Sequence, residues 1–383
     1  MKWNGFQKLS ESRFLEADNL SGDFEGIKKQ KFGVEIECTG LTRTAAAKAI
    51  GKVLGSTPEH FGGSYDKYII RDSKERKWSV VFDSSIKCVD KNGCCASRSY
   101  AVEIVTPVLE YEDMSLMQDV VRAVRKAGGI TGAEYMAGIH IHIDGTPYTA
   151  QSLRNLVNIF ASKENFLFDM LQVSPMRETY CQKVDRDFLE KLNKQKPKTI
   201  EQIQKLWYRG DMNEVHRHYS GTRYRACNLH SFFANGHWEM RACNSSLHAG
   251  VIRSYVTLAL AISNAALTRK FCSPHISESD YLRYSARVWL ISLGLNGEEF
   301  KNCRKHLISH LDGCISWRHP EDAAAQRERL KQERIAAREQ HVSEIQERGG
   351  NVPDEPEQAA AGDFEEEYEE EEMEQSMGLS MSM

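Results

Sequence analysis

The chain has 383 residues and a formal net charge of −4, which conceals a strong asymmetry along its length. Residues 351–383 contain twelve acidic residues and neither lysine nor arginine, so removing their −12 from −4 leaves +8 on residues 1–350. A mildly basic folded part suits an anionic ligand such as a nucleotide, whereas the acidic tail argues against nucleic acid as the main ligand. The hydrophobic content of 41% is enough for a substantial core.

Targeting and redox features predict a cytoplasmic protein that does not enter a membrane. The N-terminal stretch has no apolar segment of the kind that signal peptides carry. The longest apolar run, 251–267, is interrupted by polar residues and predicts a buried helix, because a membrane span needs about 20 mostly apolar residues. Ten cysteines without a C-x₂-C pair favour free thiols. The vicinal pair Cys94-Cys95 leaves a redox role open.

The segment from Gly138 to Asp144 alternates between two kinds of side chain. In a strand, residues at i, i+2 and i+4 share a face, so His140, His142 and Asp144 lie together while three isoleucines take the other face. Imidazole and carboxylate groups are good ligands for metals and phosphates. Taken alone, however, this pattern also fits a half-exposed strand.

Other predicted strands repeat the same division between an ionisable face and an apolar face. Glu35 and Glu37 alternate with apolar residues over 31–38, Glu103 is the only acid of the strand near 100–106, and Asp83 ends another strand. Carboxylates are costly to bury together without cations, and an oxygen-rich set with two histidines suits Mg²⁺ or Mn²⁺ better than zinc. A merely solvent-exposed face would be expected to include Lys, Thr and Gln.

The region from Arg223 to Cys243 predicts a β-hairpin. Asn235-Gly236 lies between two strand-like runs and is a strong signal for a two-residue turn. With that turn, Phe232 pairs with Glu239, His230 pairs with Arg241 and Asn228 pairs with Cys243. One face of the hairpin then carries four polar residues: Asn228, His230, Glu239 and Arg241.

The predicted fold class is α+β, with an antiparallel sheet covered by helices on one face. Helices are predicted at 45–54 with Thr44 as N-cap, from the capping box Ser115–Gln118 onward, and at 150–171, 185–193, 199–208 and 246–267. The predicted domains are an N-terminal extension (1–30), a catalytic domain (31–319), a charged helix (320–350) and a disordered acidic tail (351–383).

Four motifs in this order resemble those of the amidoligase family, which comprises carboxylate–amine ligases of the glutamine synthetase superfamily. They are Phe32-Gly33-Val34-Glu35-Ile36-Glu37, Glu103-Ile104-Val105-Thr106-Pro107, Gly138-x-His140-x-His142-x-Asp144 and Trp238-Glu239-Met240-Arg241. The segment Arg223–His230 also resembles the family, and the resemblance covers roughly 31–270. It implies a curved antiparallel sheet of the glutamine synthetase type, with ATP and metals on the concave face and helices on the convex face.

The resemblance also implies a reaction, in which ATP phosphorylates a carboxylate and an amine attacks the acyl phosphate. The implied ligands of Mg²⁺ or Mn²⁺ are Glu35, Glu37, Glu103, His140 and Glu239. Arg241 would stabilise the transferred phosphoryl group, His142 would contact phosphate or substrate, and Asp83 would orient or deprotonate the amine. The candidates for contacts to ATP or substrate are Arg177, Arg225, Asn228 and His230.

Two other functions remain open at this point. His-x-His-x-Asp on a strand also occurs in metal-dependent hydrolases, which would cleave an amide without nucleotide. A non-enzymatic interaction protein could instead use the helix at 320–350 or the acidic tail to bind a basic protein partner. The sequence has no glycine-rich phosphate loop, and the carboxylate and amine substrates could be small molecules or peptides.

Overall fold

The computed structural model describes residues 24–217, 219–276 and 281–315, together with six positions between 325 and 336. Its strands are β1 (Phe32–Cys38), β2 (Glu59–Gly62), β3 (Lys67–Arg71), β4 (Lys77–Val81), β5 (Val102–Val105), β6 (Gly138–Asp144), β7 (Cys227–Asn228) and β8 (His237–Asn244). They form one sheet in the order β2-β3-β4-β5-β1-β6-β8-β7, and each pairing is antiparallel. The predicted antiparallel sheet is confirmed, whereas its curvature and its likeness to glutamine synthetase stay predictions.

The register of the central strands brings the ionisable residues into adjacent rows. Glu37 lies opposite Glu103, Glu35 lies opposite His140, and His142 lies opposite Glu239 of β8. Alternate residues of the same strands are fully or almost fully buried on the other face, among them Val34, Ile36, Ile104, Ile139 and Ile141. The sheet therefore has a site face, defined by the residues of these rows, and an apolar face.

The described residues form the helices α1 (Phe24–Lys28), α2 (Arg43–Leu54), α3 (Met114–Lys126), α4 (Ala150–Met170), α5 (Arg186–Gln195), α6 (Ile200–Trp207), α7 (His230–Asn235), α8 (Ala249–Thr268), α9 (Leu282–Ser292) and α10 (Lys301–Ile308). Helix α2 packs against β3 and β4. Helix α8 contacts α3, α4, α10 and strand β6. It is long and apolar enough to cross a membrane, but 72% of that apolar window is buried in the protein, as expected of a core helix.

The predicted hairpin register between residues 228 and 243 is wrong. Residues His230–Asn235 form helix α7, and the short strand β7 pairs Asn228 with Glu239 instead of with Cys243. The Asn228 side chain accepts the backbone N–H of His230 at 2.8 Å, and Gly236 ends the helix with φ +82°. Asn-Gly therefore terminates a helix here, because glycine suits a left-handed C-cap as well as a hairpin turn.

Most predicted helices are confirmed, but two of their starts differ. The Thr42 side chain accepts the N–H of Ala45, so α2 is capped two residues before Thr44, where the sequence suggested a cap. Ser115 lies inside α3 because a capping box formed by Glu110 and Asp113 closes the preceding turn. Both differences are small, as is usual for helix ends.

The chain divides into two compact units, Met1–Glu278 with Val288–His310 and Ser279–Arg287 with Leu311–Met383. The first unit contains the whole sheet. In the second, Arg283 Nη1 donates to the Gly313 carbonyl at 3.5 Å. The predicted helix at 320–350 lies outside the described residues except for six positions, which are helical, and so do the predicted tail at 351–383 and most of the predicted extension at 1–30.

Candidate active site

The site is built around Glu35, which stands at the centre of the site face. Its Oε2 lies 3.0 Å from His140 Nδ1, and its Oε1 lies 3.2 Å from His142 Nε2. His140 also reaches Glu37 at 3.7 Å and Glu239 at 3.5 Å. Strands β1, β6 and β8 thus bring together side chains that lie up to about two hundred residues apart in sequence.

Three groups of side chains on this face could each hold a metal ion. They are Glu35/Glu103/His140, Glu35/His142/Glu239 and Glu37/Asp83/Glu103, and within each group the ligand atoms lie within 4.8 Å of one another. Because Glu35 and Glu103 are each shared, the groups form one continuous line. We call its ends the His142 end (Glu35, His142, Glu239) and the Asp83 end (Glu37, Asp83, Glu103). All five predicted metal ligands belong to this line, and the mainly oxygen donors fit Mg²⁺ or Mn²⁺.

Carboxylates of the His142 end are paired with positive or polar groups. Burial raises the pKa of Glu35, but His142 and His140 outweigh this effect and hold that pKa well below its usual range. Burial likewise opposes ionisation of Glu239, yet Arg241 and the two histidines lower its pKa to about 2. Asn228 Nδ2 donates to Glu239 at 2.6 Å and completes the pairing.

The Asp83 end has the opposite electrostatics. Burial raises the pKa of Glu103 well above its usual range, and Glu35, Glu37 and Asp83 raise it further. Burial also raises the pKa of Glu37, against the influence of His140 and of the Gly138 N–H, which donates to Glu37 at 2.6 Å. Asp83 itself accepts the N–H of Ser85. Two carboxyl groups here thus favour a proton or a metal ion.

Two arginines lie buried beside the line. Arg241 Nη1 donates to the Glu239 carboxylate, and its Nε donates to the Tyr180 carbonyl at 3.3 Å. Arg177 donates to the carbonyls of Cys243 at 2.6 Å and Arg241 at 3.3 Å, so its guanidinium is bound to the backbone of β8. A Cβ on Gly138 would lie 2.1 Å from Arg177 Nη2, which explains why β6 begins with glycine.

Two predicted contact residues bond outside the line. Arg225 donates to the Lys183 carbonyl at 2.7 Å and lies 3.4 Å from Asp185. His230 Nδ1 lies 2.7 Å from the Tyr208 hydroxyl. Both side chains are therefore held by neighbours that do not belong to the metal-binding groups.

Sequence reasoning missed His237 and Ser231. His237 Nδ1 lies 3.0 Å from His142 Nδ1 and 3.1 Å from Ser231 Oγ, and His142 orients toward Glu35 through its other nitrogen. Burial and the nearby His142 lower the pKa of His237. Its place two residues before Glu239, on the same strand face, was the signal that could have revealed it.

A cavity of about 770 Å³ opens beside the His142 end. Glu35, His142 and Glu239 line it on one side, and Lys31 and Arg223 contribute positive charge to its wall. Pro107 and the exposed Val108 add apolar surface. The cavity therefore combines carboxylates, cations and apolar surface, as ligand pockets commonly do.

Fold and site together define a mixed helix–sheet protein whose sheet presents a line of carboxylates and histidines suited to divalent cations. The family described as "Putative amidoligase enzyme" matches residues 28–263, and the chain belongs to this family. The predicted resemblance is thereby confirmed.

Other comparisons are more distant. No curated protein matches the chain. One similar solved structure is a bifunctional glutathione synthetase from Pasteurella multocida, with 14% identity and a TM-score of 0.37. The alignment covers 78% of this chain and 49% of that one, so the chain spans about half the length of that structure. A similarity of this size carries no information about function.

Proposed function

We propose that the protein is an ATP-dependent carboxylate–amine ligase that forms an amide or peptide bond through an acyl phosphate. The observation that carries this proposal is the line formed by the three overlapping sets of metal-binding side chains, with Arg241 buried beside it. Phosphoryl transfer between two anions requires cations to neutralise charge, and this face offers ligands for them together with a fixed guanidinium. Membership of the amidoligase family supports the same reaction class.

The residues proposed to hold Mg²⁺ or Mn²⁺ are Glu35, Glu37, Glu103, His140 and Glu239. Their fit is good because two of them, Glu37 and Glu103, have raised pKa values that only a proton or a cation would satisfy. When bound, such an ion would polarise phosphoryl oxygens and reduce charge repulsion. The three overlapping groups set an upper limit of three bound ions.

The roles proposed for the remaining side chains are based on their positions in the site. Arg241 would neutralise the transferred phosphoryl group, and Asn228 would orient Glu239, to which it donates. His142 faces both Glu35 and the cavity and is proposed to contact phosphate or substrate. Asp83, at the other end of the line, would bind and orient the amine and accept its proton.

Three further residues are proposed to act from outside the line. Arg177 would keep β8 in place and supply a buried positive charge beside Glu37. This charge partly opposes the rise that burial causes in the pKa of Glu37. Arg225 and His230 would contact substrate only after exchanging their present partners.

ATP is proposed to occupy the cavity at the His142 end. The cavity volume of about 770 Å³ is within the usual range for ligand pockets. Lys31 and Arg223 suit a polyanion, and the nearby carboxylates would reach it through divalent ions. The carboxylate and amine substrates are proposed to be small molecules or peptides, and the proposed compartment is the cytoplasm.

An ADP-release assay tests the proposal. Purified protein with Mg²⁺ and ATP would be supplied with pools of amino acids and peptides, alone and in pairs. We expect ADP production that depends on an amine and that is lost in Glu239→Gln, with Asp119→Asn as a surface control. No amine-stimulated ADP from any pool, together with no ATP binding by calorimetry, would overturn the ligase proposal. Amide cleavage without nucleotide would favour the hydrolase.

A further inference from the structure

Gly33 occupies an unusual place for a glycine. It is the second residue of β1, opposite His142, and the paired residues on either side of it keep a regular register without a bulge. Glycine in the middle of a strand costs about 0.5–1 kcal/mol relative to alanine. Such a glycine commonly marks a bulge or the close approach of a ligand or another backbone.

Neither backbone conformation nor crowding explains Gly33. Its φ does not lie in the left-handed region, and a Cβ there would lie 3.9 Å from the Pro107 carbonyl oxygen and from Thr106 Oγ1, and 4.0 Å from His142 Cβ. These are ordinary van der Waals distances. Gly138 is the contrasting case, because the guanidinium of Arg177 occupies the place of its side chain.

The missing side chain leaves part of the cavity floor open. Lys31, which immediately precedes β1, and Gly33 and Glu35 of that strand all line the cavity. On the Glu35 side the cavity meets the metal-binding groups. Pro107 and Val108, which is 65% exposed, follow the end of β5 and also line the cavity. A ligand over Gly33 would therefore have carboxylates at one end and apolar surface beside it.

We propose that Gly33 is a specificity-determining residue over which the nucleoside part of ATP passes, while its phosphates lie toward the His142 end. This inference rests on the proposed function, because it takes ATP as the ligand of the cavity. The polar end of the cavity matches the triphosphate. The uncharged sugar and base match the apolar surface of Pro107 and Val108 and need the space that a side chain on Gly33 would fill.

Calorimetry with two ligands separates the nucleoside from the phosphates. We expect Gly33→Val to weaken binding of Mg·ATP at least ~30-fold, on a scale where about 1.4 kcal/mol corresponds to tenfold in affinity. The same variant should change binding of Mg·tripolyphosphate by less than ~2-fold. Gly33→Ala should show a smaller loss of Mg·ATP affinity and carries the test if the valine variant fails to fold. Gly221→Ala is the matched control, because a Cβ there meets nothing within 4 Å and the residue does not line the cavity.

The possible failures are distinguishable. Absence of Mg·ATP binding by the wild-type protein overturns the proposed function and this inference with it. Normal binding of Mg·ATP by wild type and by both Gly33 variants overturns the inference alone. Equal losses for Mg·ATP and Mg·tripolyphosphate also overturn it, because the side chain would then disturb the phosphate end and not the nucleoside.

Discussion

The two ends of the carboxylate line balance their negative charge in different ways. At the His142 end, histidines and Arg241 lower the pKa values of Glu35 and Glu239, so these carboxylates are ionised and paired within the protein. At the Asp83 end, burial and neighbouring acids raise the pKa values of Glu37 and Glu103. The first end is already neutralised without a ligand, whereas the second requires protons or metal ions.

This difference suggests a division of labour along one face of the sheet. A pre-neutralised end can hold a carboxylate in a fixed geometry and present Arg241 beside it. An end with uncompensated acids responds to cations, whether a metal ion or the ammonium group of an amine. The comparison predicts that substitutions at the two ends change stability in opposite directions.

The largest effect is expected at the His142 end. Glu239→Gln leaves the buried Arg241 without its carboxylate partner, and removing one member of a buried ion pair typically costs about 3–5 kcal/mol of unfolding free energy. Urea unfolding measures the loss. Asp119→Asn, which breaks an exposed ion pair with Arg122, should cost at most about 1 kcal/mol. Equal losses in the two variants would remove the distinction between paired and exposed charge.

Glu164 provides a buried carboxylate away from the line. Burial raises its pKa from the usual 4.5 to about 7, although the Val184 N–H donates to it. Because the folded pKa is raised, the contribution of Glu164 to the unfolding free energy is highest below pH 4.5 and is lost as the pH rises through about 7. The loss is at most about 3 kcal/mol, because each tenfold change in the ionisation equilibrium corresponds to about 1.4 kcal/mol.

Glu164→Gln should abolish that pH dependence. The variant should match wild type near pH 4 and exceed its unfolding free energy near pH 8. Urea unfolding at several pH values in a chelator gives the comparison. Added Mn²⁺ should leave the Glu164 contribution unchanged, and a pH profile that is the same in both proteins would contradict the buried, ionisable state of Glu164.

Divalent metal should stabilise the protein mainly through the Asp83 end. At a Mn²⁺ concentration of 100 Kd, the stabilisation expected for one site is about 2.7 kcal/mol. Affinity should rise with pH, because Glu37 and Glu103 have raised pKa values and must lose their protons to bind metal. Calorimetry near pH 6 in two buffers of different ionisation enthalpy should show proton release. Binding without proton release would contradict the electrostatic description of this end.

The smallest expected effect has the opposite sign to the first. Glu103→Gln removes a buried negative charge that Glu35, Glu37 and Asp83 disfavour. In a chelator near pH 8 it should raise the unfolding free energy by about 1 kcal/mol, a typical size for a single substitution. The same variant should bind Mn²⁺ more weakly. A destabilised metal-free Glu103→Gln protein would show that Glu103 is compensated in a way not evident from its neighbours.

The strand periodicity was sufficient to predict most of the line. Alternation placed Glu35, Glu37, Glu103 and His140 on one face because the period of a strand is independent of its tertiary context. The Asn235-Gly236 signal misled because glycine with positive φ serves both a hairpin and a helix end. In the structure the Asn228 side chain accepts the N–H of His230, the first residue of α7, a contact that no local pattern specifies.

Residues outside the strands could not be placed from sequence. Arg177 ends a short 3₁₀ helix (Pro175–Arg177), and its guanidinium reaches β8 only through the packing of that segment against the sheet. Gly138 leaves room for that guanidinium, but in the sequence it looked like an ordinary strand end. His237 directly follows the turn predicted at Asn235-Gly236, and its contact with His142 was not expected.

Hydroxylamine trapping tests the central claim, that ATP activates a carboxylate as an acyl phosphate, most directly. The wild-type protein would be incubated with Mg²⁺, ATP, hydroxylamine and pools of amino acids and peptides, and both ADP and acyl hydroxamate would be quantified. The proposed mechanism predicts equal amounts of the two products, both lost in Glu239→Gln and kept in Asp119→Asn. ADP formed without hydroxamate from any pool would contradict the ligase mechanism.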